Sequence, residues 1–218
     1  MRPLARQWTL QRKLLGNLLP VFASLPFWVV WLWRVGQKGV LDPAGLGLLA
    51  LAIVCSWLAL NCFGWPGNSK MRIAIGRAYN AERGIFTGPR WFVGMATPAY
   101  RNPWDPHEDI GFLVLHDDRI EFFGERIRLA LPHDCLTGIG RRANAHSWVG
   151  IGGWLCIEGT LNGQDVRLLI EPRERNLIVH NRTVAKQIKA EIQKRIAPAP
   201  NERGGRSVLL GEDLSSKQ

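Results

Sequence analysis

Two long stretches without a charged residue constrain this chain more than any other feature of its sequence. Residues 14–33 and residues 43–69 contain no Asp, Glu, Lys or Arg. About 20 apolar residues in a helix cover roughly 30 Å, the thickness of the hydrocarbon core of a bilayer. The sequence therefore predicts two transmembrane helices, at 14–34 and 43–64, and argues against a wholly water-soluble chain.

The first predicted span follows a basic segment, residues 1–13, as the apolar core of a secretory signal peptide would. It is longer than the roughly 7–15 apolar residues of a signal peptide, and it ends in bulky aromatics instead of small residues. Pro20 and Pro26 are expected to kink it, because proline removes helical hydrogen bonds. We therefore expect a retained anchor.

The second predicted span has a clear start and a clear end. Asp42 followed by Pro43 is typical of a helix N-terminus, and Trp65 with Pro66 should end the helix at an interface. Small side chains along one side would let the first helix, or a second copy of the chain, approach closely. The alternative is that this side of the helix faces lipid and that its small residues occur there by chance. These small residues are Ala52, Cys55, Ser56 and Ala59.

The short connection between the spans, residues 34–41, predicts a helical hairpin with both termini on one side. Four basic residues precede the first span and two lie in the connection. Because basic flanks stay in the cytoplasm, we expect a multi-pass protein of the inner (plasma) membrane with both termini cytoplasmic. Tryptophans and basic residues should mark the interface, namely Trp28, Trp31, Trp33, Trp65, Lys70, Arg72 and Arg77.

The segment after the second span, residues 70–87, is basic and juxtamembrane. Met71, Ile75 and Ala78 recur at helical spacing among its basic residues. A basic amphipathic helix can lie on anionic headgroups. A simple positive flank of the membrane helix is the alternative.

Residues 88–196 predict a domain of short antiparallel strands followed by a helix. Alternating or continuous apolar runs separated by turn residues mark strands at 90–97, 110–115, 119–123, 126–131, 136–142, 149–158 and 166–170. Between the first two, 100–109 reads as a loop in which His107, Glu108 and Asp109 should be solvated. Val184, Ile188, Ile192 and Ile196 then form one apolar stripe on a helix capped by Asn181 or Thr183, which should pack on the sheet.

The order and spacing of these elements resemble the pleckstrin-homology (PH)-like superfamily, including bacterial PH and GRAM-type domains. The resemblance is carried by 111–115, 119–123, 127–139, the Asn162-Gly163 turn and the terminal helix. It implies a membrane-anchored α+β protein, with a PH-like antiparallel β-barrel or sandwich capped by a C-terminal helix. It also implies binding of peptides or lipids. A generic β-sandwich or open barrel with a trailing helix is the alternative, since the proline-rich stretch 98–106 departs from the pattern.

One loop combines basic, polar and aromatic residues between two predicted strands. It contains Arg141, Arg142, His146 and Trp148. Arginine binds phosphate in a planar, two-pronged geometry, so this loop is predicted to bind a phosphate or an anionic lipid headgroup. A solvated hairpin turn is the alternative.

The sequence predicts no catalytic residue, no metal and no cofactor. It contains no nucleophile-elbow, phosphate-loop or zinc-protease motif. The runner-up function, a membrane-bound enzyme or transport-accessory subunit, would use the turns His116-Asp117 and His133-Asp134. The four cysteines form no metal-binding spacing and fit a reducing compartment.

The charge distribution favours a membrane over a nucleic acid as the partner. Residues 1–69 hold six basic and one acidic group, and residues 70–196 hold 19 and 14, so each part contributes five of the net charge of +10. The tail, 197–218, is predicted to be disordered. The sequence thus predicts a non-catalytic binding or scaffold module whose partners are the lipid bilayer and a protein, with self-association through the helices as an option.

Overall fold

A helical hairpin leads directly into a mixed α+β domain in the computed structural model of the chain. The domain contains a seven-stranded antiparallel sheet, one helix before it and one after it. The structure describes residues 7–40, 42–62, 67–83, 88–100, 107–144, 147, 150, 152–161 and 163–196.

The hairpin consists of α1 (Leu10–Lys38) and α2 (Pro43–Asn61), which pack side by side. The Asp42 carboxylate accepts the Gly45 N–H at 2.9 Å and begins α2, as predicted. Asp42 also pairs with Arg34 across the turn. The helix α1 starts four residues before the predicted span and runs as one helix through both prolines.

Within the described part of the chain, α2 is the one helix long and apolar enough to cross a bilayer. This supports the second predicted span and leaves the first as a prediction. Ala52 and Ala59 are buried where α1 and α2 pack, so part of the small-residue side of α2 is used inside the hairpin.

The sheet has the strand order β4-β3-β2-β1-β7-β6-β5, with every neighbouring pair antiparallel. Its two edges, β4 and β5, are joined by the short turn His133–Cys135, so the sheet must curl to bring them together. The strands are β1 (Arg90–Ala96), β2 (Asp109–Leu115), β3 (Arg119–Gly124), β4 (Arg128–Pro132), β5 (Leu136–Arg142), β6 (Trp154–Leu161) and β7 (Gln164–Pro172).

The predicted strands are all present, and β5 has the predicted bounds. The largest error concerns β6, which begins at Trp154, five residues later than predicted. Gly150 explains the delay, because its φ of +72° belongs to a turn and not to a strand.

The inner face of the sheet is covered by α4 (Asn181–Gln193). Val184, Ile188 and Ile192 pack there against apolar side chains of the strands, as the stripe predicted. The predicted cap is wrong, because Asn181 lies inside the helix. Its Oδ1 accepts the Arg175 N–H at 2.8 Å and its amide donates to the Arg175 carbonyl at 3.1 Å.

The outer face of β1, β2 and β3 is covered by α3 (Asn68–Arg83) and by Trp8. Met71 and Ile75 are fully buried there, and the Tyr79 hydroxyl donates to the Gly124 carbonyl. The hypothesis that this apolar face lies on lipid is therefore wrong, because the protein's own sheet occupies it. Apolar residues at helical spacing indicate that one face of a helix is buried, but they do not indicate which surface covers that face.

The expected solvation of the 107–109 segment is also wrong. His107 and Asp109 are each 1% exposed, and Asp109 begins β2. The Asp109 carboxylate accepts the N–H groups of Ile110, Arg126 and Ile127, which fixes the β3–β4 turn against β2. Burial raises the pKa of Asp109, while these three donors act in the opposite direction.

The packing of α3 predicts different effects for two isoleucines one half-turn apart. Ile75 is fully buried and Ile73 is 49% exposed. We expect Ile75→Ala to lower the free energy of unfolding by about 2–5 kcal/mol, because it leaves a cavity under the helix. The matched change Ile73→Ala should stay within about 0.5 kcal/mol. Denaturant unfolding of the detergent-solubilised full chain measures both. Equal losses would contradict the placement of α3 on the sheet.

Candidate anion-binding site

A cavity of about 540 Å³ opens between the end of β5, the loop that follows it and the first turns of α4. Its volume lies within the range of roughly 300–1,000 Å³ typical of small-ligand sites. The rim carries two basic residues from each side, and the interior holds apolar side chains and one carboxylate.

The strand side of the rim is formed by Arg141 and Arg142, the last two residues of β5. The Arg142 guanidinium donates to the Glu158 carboxylate at 3.1 Å across the strand pair. This hydrogen bond raises the pKa of Arg142 and lowers the pKa of Glu158. The Arg142 guanidinium is thereby held against Glu158, which does not line the cavity, whereas Arg141 forms no ion pair with any residue in the described ranges.

The helix side of the rim is formed by Arg182 and Lys186 in the first two turns of α4. Residues four apart on a helix lie one turn above each other, so the two cations share a face. Neither forms an ion pair with a described residue. The sequence analysis did not identify either residue, although two basic residues four apart beside the apolar stripe indicate a basic face on this helix.

The interior carboxylate, Glu171, is buried at the end of β7 and is tied into its surroundings. It lies 3.0 Å from His107 Nε2 and accepts a hydrogen bond from the Asn144 amide at 3.1 Å. Asn144 also accepts the Ser147 N–H at 2.9 Å, and the Ser147 hydroxyl donates to the Asn144 carbonyl at 2.7 Å. The start of the loop is thus fastened to the floor of the cavity.

Both apolar and polar residues complete the lining: Trp154 and Leu155 from β6 and Ile178 from the loop before α4 are apolar, and Asn181 and Thr183 from α4 are polar. A site with basic residues on its rim and a partly apolar interior suits a ligand that has both an anionic and an apolar part.

The cavity lies directly beside the end of the helical hairpin. Ile178 lines the cavity, and its N–H donates to the Asn61 carbonyl at the end of α2 at 3.0 Å. The neighbouring Val179 N–H donates to the Asn61 side-chain oxygen at 2.9 Å. One wall of the cavity is therefore attached to the C-terminal end of α2.

The start of the hairpin, just before α1, is attached to the same domain. The N–H groups of Gln7 and Trp8 donate to the Glu125 carboxylate at 2.6 and 2.9 Å. The Trp8 ring is 3% exposed and lies 4.5 Å from the Arg173 guanidinium. The segment before α1 and the end of α2 are thus both fixed to the sheet domain.

Of the four predicted site residues, Arg141 and Arg142 lie on the cavity, and His146 and Trp148 lie outside the described residues.

Among the predicted interface residues, Trp28 and Trp31 stack edge to face at 5.6 Å, and Trp33 is exposed. Trp65 lies outside the described ranges. Lys70 and Arg77 are exposed on α3, while Arg72 pairs with Glu174.

The two His-Asp turns lie next to each other at one end of the sheet. The His133 N–H donates to the Asp118 carbonyl at 2.9 Å. Among the described residues, no group of three or more His, Cys, Asp or Glu side chains could hold a metal ion. His116, Asp117, His133 and Asp134 do not line the basic cavity.

No protein-family model matches the chain, and no curated protein matches it in sequence.

The fastening of the loop by Asn144 can be tested directly. Asn144→Ala removes a donor to the buried Glu171 and an acceptor for Ser147. We expect a loss of about 1–3 kcal/mol of stability, because the buried Glu171 carboxylate then loses one of its hydrogen-bond donors. Amide hydrogen exchange should rise in 143–153 and stay unchanged in β2. Unchanged exchange in 143–153 would show that these bonds do not hold the loop.

Proposed function

We propose that this protein is a membrane-anchored, non-catalytic binding module that presents a basic cavity to the cytoplasmic surface of the inner membrane. The observation that carries this proposal is the attachment of both ends of the α1–α2 hairpin to the sheet domain, through Glu125 and Asn61. If the hairpin crosses the bilayer, the cavity beside Asn61 opens close to the headgroups.

The proposed anchor consists of both hairpin helices. The 19 residues of α2 span about 28 Å, close to the thickness of a bilayer core. Large apolar side chains are exposed along most of the length of α1. Exposing this much apolar surface to water is unfavourable, whereas lipid would cover it. The exposed side chains are Leu10, Leu14, Leu15, Leu18, Val21, Phe22, Leu25, Val29, Val30, Leu32 and Trp33.

The proposed orientation follows the basic residues. Arg12 and Lys13 begin α1 beside the domain, and the basic helix α3 follows α2. At the opposite end of the hairpin, Asp42 neutralises one of two basic residues. The positive-inside rule then places the domain and both termini in the cytoplasm.

The proposed family of the β-domain is the PH-like superfamily. The seven-stranded antiparallel sheet with a helix after its last strand is compatible with a PH-like sandwich. Fold alone does not assign an activity, so the binding role depends on the cavity and its position.

The second candidate is a membrane-bound enzyme or transport-accessory subunit that uses the His-Asp turns. The neighbouring positions of His133 and Asp118 favour it. Self-association through the helices is a further possibility for the anchor, although Ala52 and Ala59 already pack within the hairpin. The basic cavity beside α2 favours binding over both.

The membrane insertion of α2 is tested by a matched pair of arginine substitutions. Ile53, near the centre of α2, is 53% exposed, and Ile73 on α3 is 49% exposed. If α2 crosses the bilayer, Ile53→Arg costs about 2.5–3.5 kcal/mol of insertion free energy. Ile73→Arg should cost none.

The readout is the fraction of full-length protein that stays in membranes after alkaline extraction. We expect wild type and Ile73→Arg to be retained, and Ile53→Arg to be reduced. Equal retention of the two variants, or release of the wild-type protein, would contradict a transmembrane α2.

A further inference from the structure

We infer that residues 173–179, which join β7 to α4, transmit movements of the hairpin to the cavity. These residues are called the joining segment below. The inference rests on the proposed function in one respect, because the bilayer is what moves the hairpin. It adds a form of regulation: the thickness of the surrounding bilayer changes the wall of the cavity and the loop after β5.

The two ends of the hairpin are attached to opposite ends of the joining segment. At its start, Arg173 Cζ lies 4.5 Å from the centroid of the Trp8 ring, and both side chains are buried. Near its end, the N–H groups of Ile178 and Val179 donate to the carbonyl and side-chain oxygens of Asn61. Five residues of chain extend to about 18 Å at most, so the two attachments cannot move apart freely.

Side chains of the neighbouring helices hold the joining segment. Its residues, all described by the structure, lie in irregular backbone between β7 and α4. Asn68 on α3 donates its amide to the Arg175 carbonyl at 3.1 Å and accepts from Arg173 Nε at 3.1 Å. Asn181 on α4 accepts the Arg175 N–H at 2.8 Å. Segments held in this way open at a lower free energy than the strands of a sheet, so the joining segment is where a displacement is taken up.

The joining segment also forms part of the cavity. Ile178 lines the cavity wall, and Glu171, two residues before Arg173, lines the floor. The Glu171 carboxylate accepts the Asn144 amide at 3.1 Å, which fastens the loop after β5. A shift of the joining segment therefore moves the wall and acts on the bond that holds the loop.

The start of the hairpin reaches the cavity floor through a second series of contacts. The rings of Trp8 and His107 meet edge to face, with their centroids 6.1 Å apart. His107 Nε2 in turn lies 3.0 Å from the Glu171 carboxylate. A displacement of Trp8 thus acts on Glu171 from this side as well.

The unequal lengths of the hairpin helices explain how a bilayer would move the two attachments. The 29 residues of α1 and the 19 residues of α2 begin at a shared turn, so α1 extends about 15 Å further along the hairpin. Trp8 and Asn61 consequently lie at different distances from that turn, and a tilt of the hairpin displaces them unequally. Apolar helices tilt more in a thinner bilayer.

The experiment compares the full-length protein in nanodiscs of short-chain and of long-chain phosphatidylcholine, which share one headgroup and differ in thickness. Amide hydrogen exchange is measured in the joining segment, in 143–153 and in β2 as the reference. The test variant, Asn61→Ala, removes the acceptor of the Val179 N–H. The matched control, Ser56→Ala, removes a side-chain hydrogen bond to the Ala52 carbonyl within α2.

We expect the wild-type protein to exchange roughly two- to tenfold faster in the thin bilayer, both in the joining segment and in 143–153, with β2 unchanged. Asn61→Ala should lose most of this thickness dependence in 143–153, and Ser56→Ala should keep it. A purely structural role of Asn61 would instead raise exchange by the same factor in both bilayers.

Three results would overturn the inference: equal exchange of the wild type in both bilayers, an equal change in β2, or a full thickness dependence in Asn61→Ala. Alkaline extraction of wild-type membranes separates this test from the proposed function. A protein that is retained but insensitive to thickness overturns the coupling alone, whereas release of the protein overturns the anchor and the coupling with it.

Discussion

The hydrogen bonds between Asn61 and the loop before α4 determine how the two parts of the chain are arranged. Asn61 is buried at the end of α2, where its carbonyl and side-chain oxygen accept the N–H groups of Ile178 and Val179. Buried backbone N–H groups need partners, so separating this loop from the helix would leave two donors unsatisfied. Together with the Glu125 carboxylate at Gln7 and Trp8, these bonds fix the domain on the hairpin. The orientation of the cavity follows from that attachment.

The two faces of the sheet are covered by different helices, α4 on the inner face and α3 on the outer face, and the two helices have different roles. On the inner face, α4 completes the core with one side and contributes Arg182 and Lys186 to the cavity with the other. On the outer face, α3 is packed through Met71 and Ile75, which leaves its basic residues at the surface. The sequence left open whether α3 lies on lipid or is a simple positive flank, and the structure packs it on the sheet. The helix predicted to pack on the sheet, α4, also carries half of the basic rim.

Local chemistry explains which features the sequence could predict. Alternation of apolar residues and turn signals predicted the strands, and β5 matched at both ends, because these signals act between neighbouring residues. The Asp42-Pro43 start of α2 is local in the same way. Burial of His107 and Asp109 was missed because their partners, Glu171 and the β3–β4 turn, are distant in sequence. The cavity was only half predicted, since Arg141 and Arg182 are brought together by the packing of α4 on the curled sheet.

Site-specific photo-crosslinking in membranes would show whether the cavity faces the lipid headgroups, as we propose. A photoreactive amino acid at position 183, on the cavity, is compared with one at position 165, next to the β6–β7 turn. The length of β7 separates that turn from the hairpin, about 3.3 Å for each of its nine residues. We expect crosslinks to phospholipid from position 183 and none from position 165. Crosslinks from position 165 alone, or from neither position in a membrane-retained protein, would contradict it.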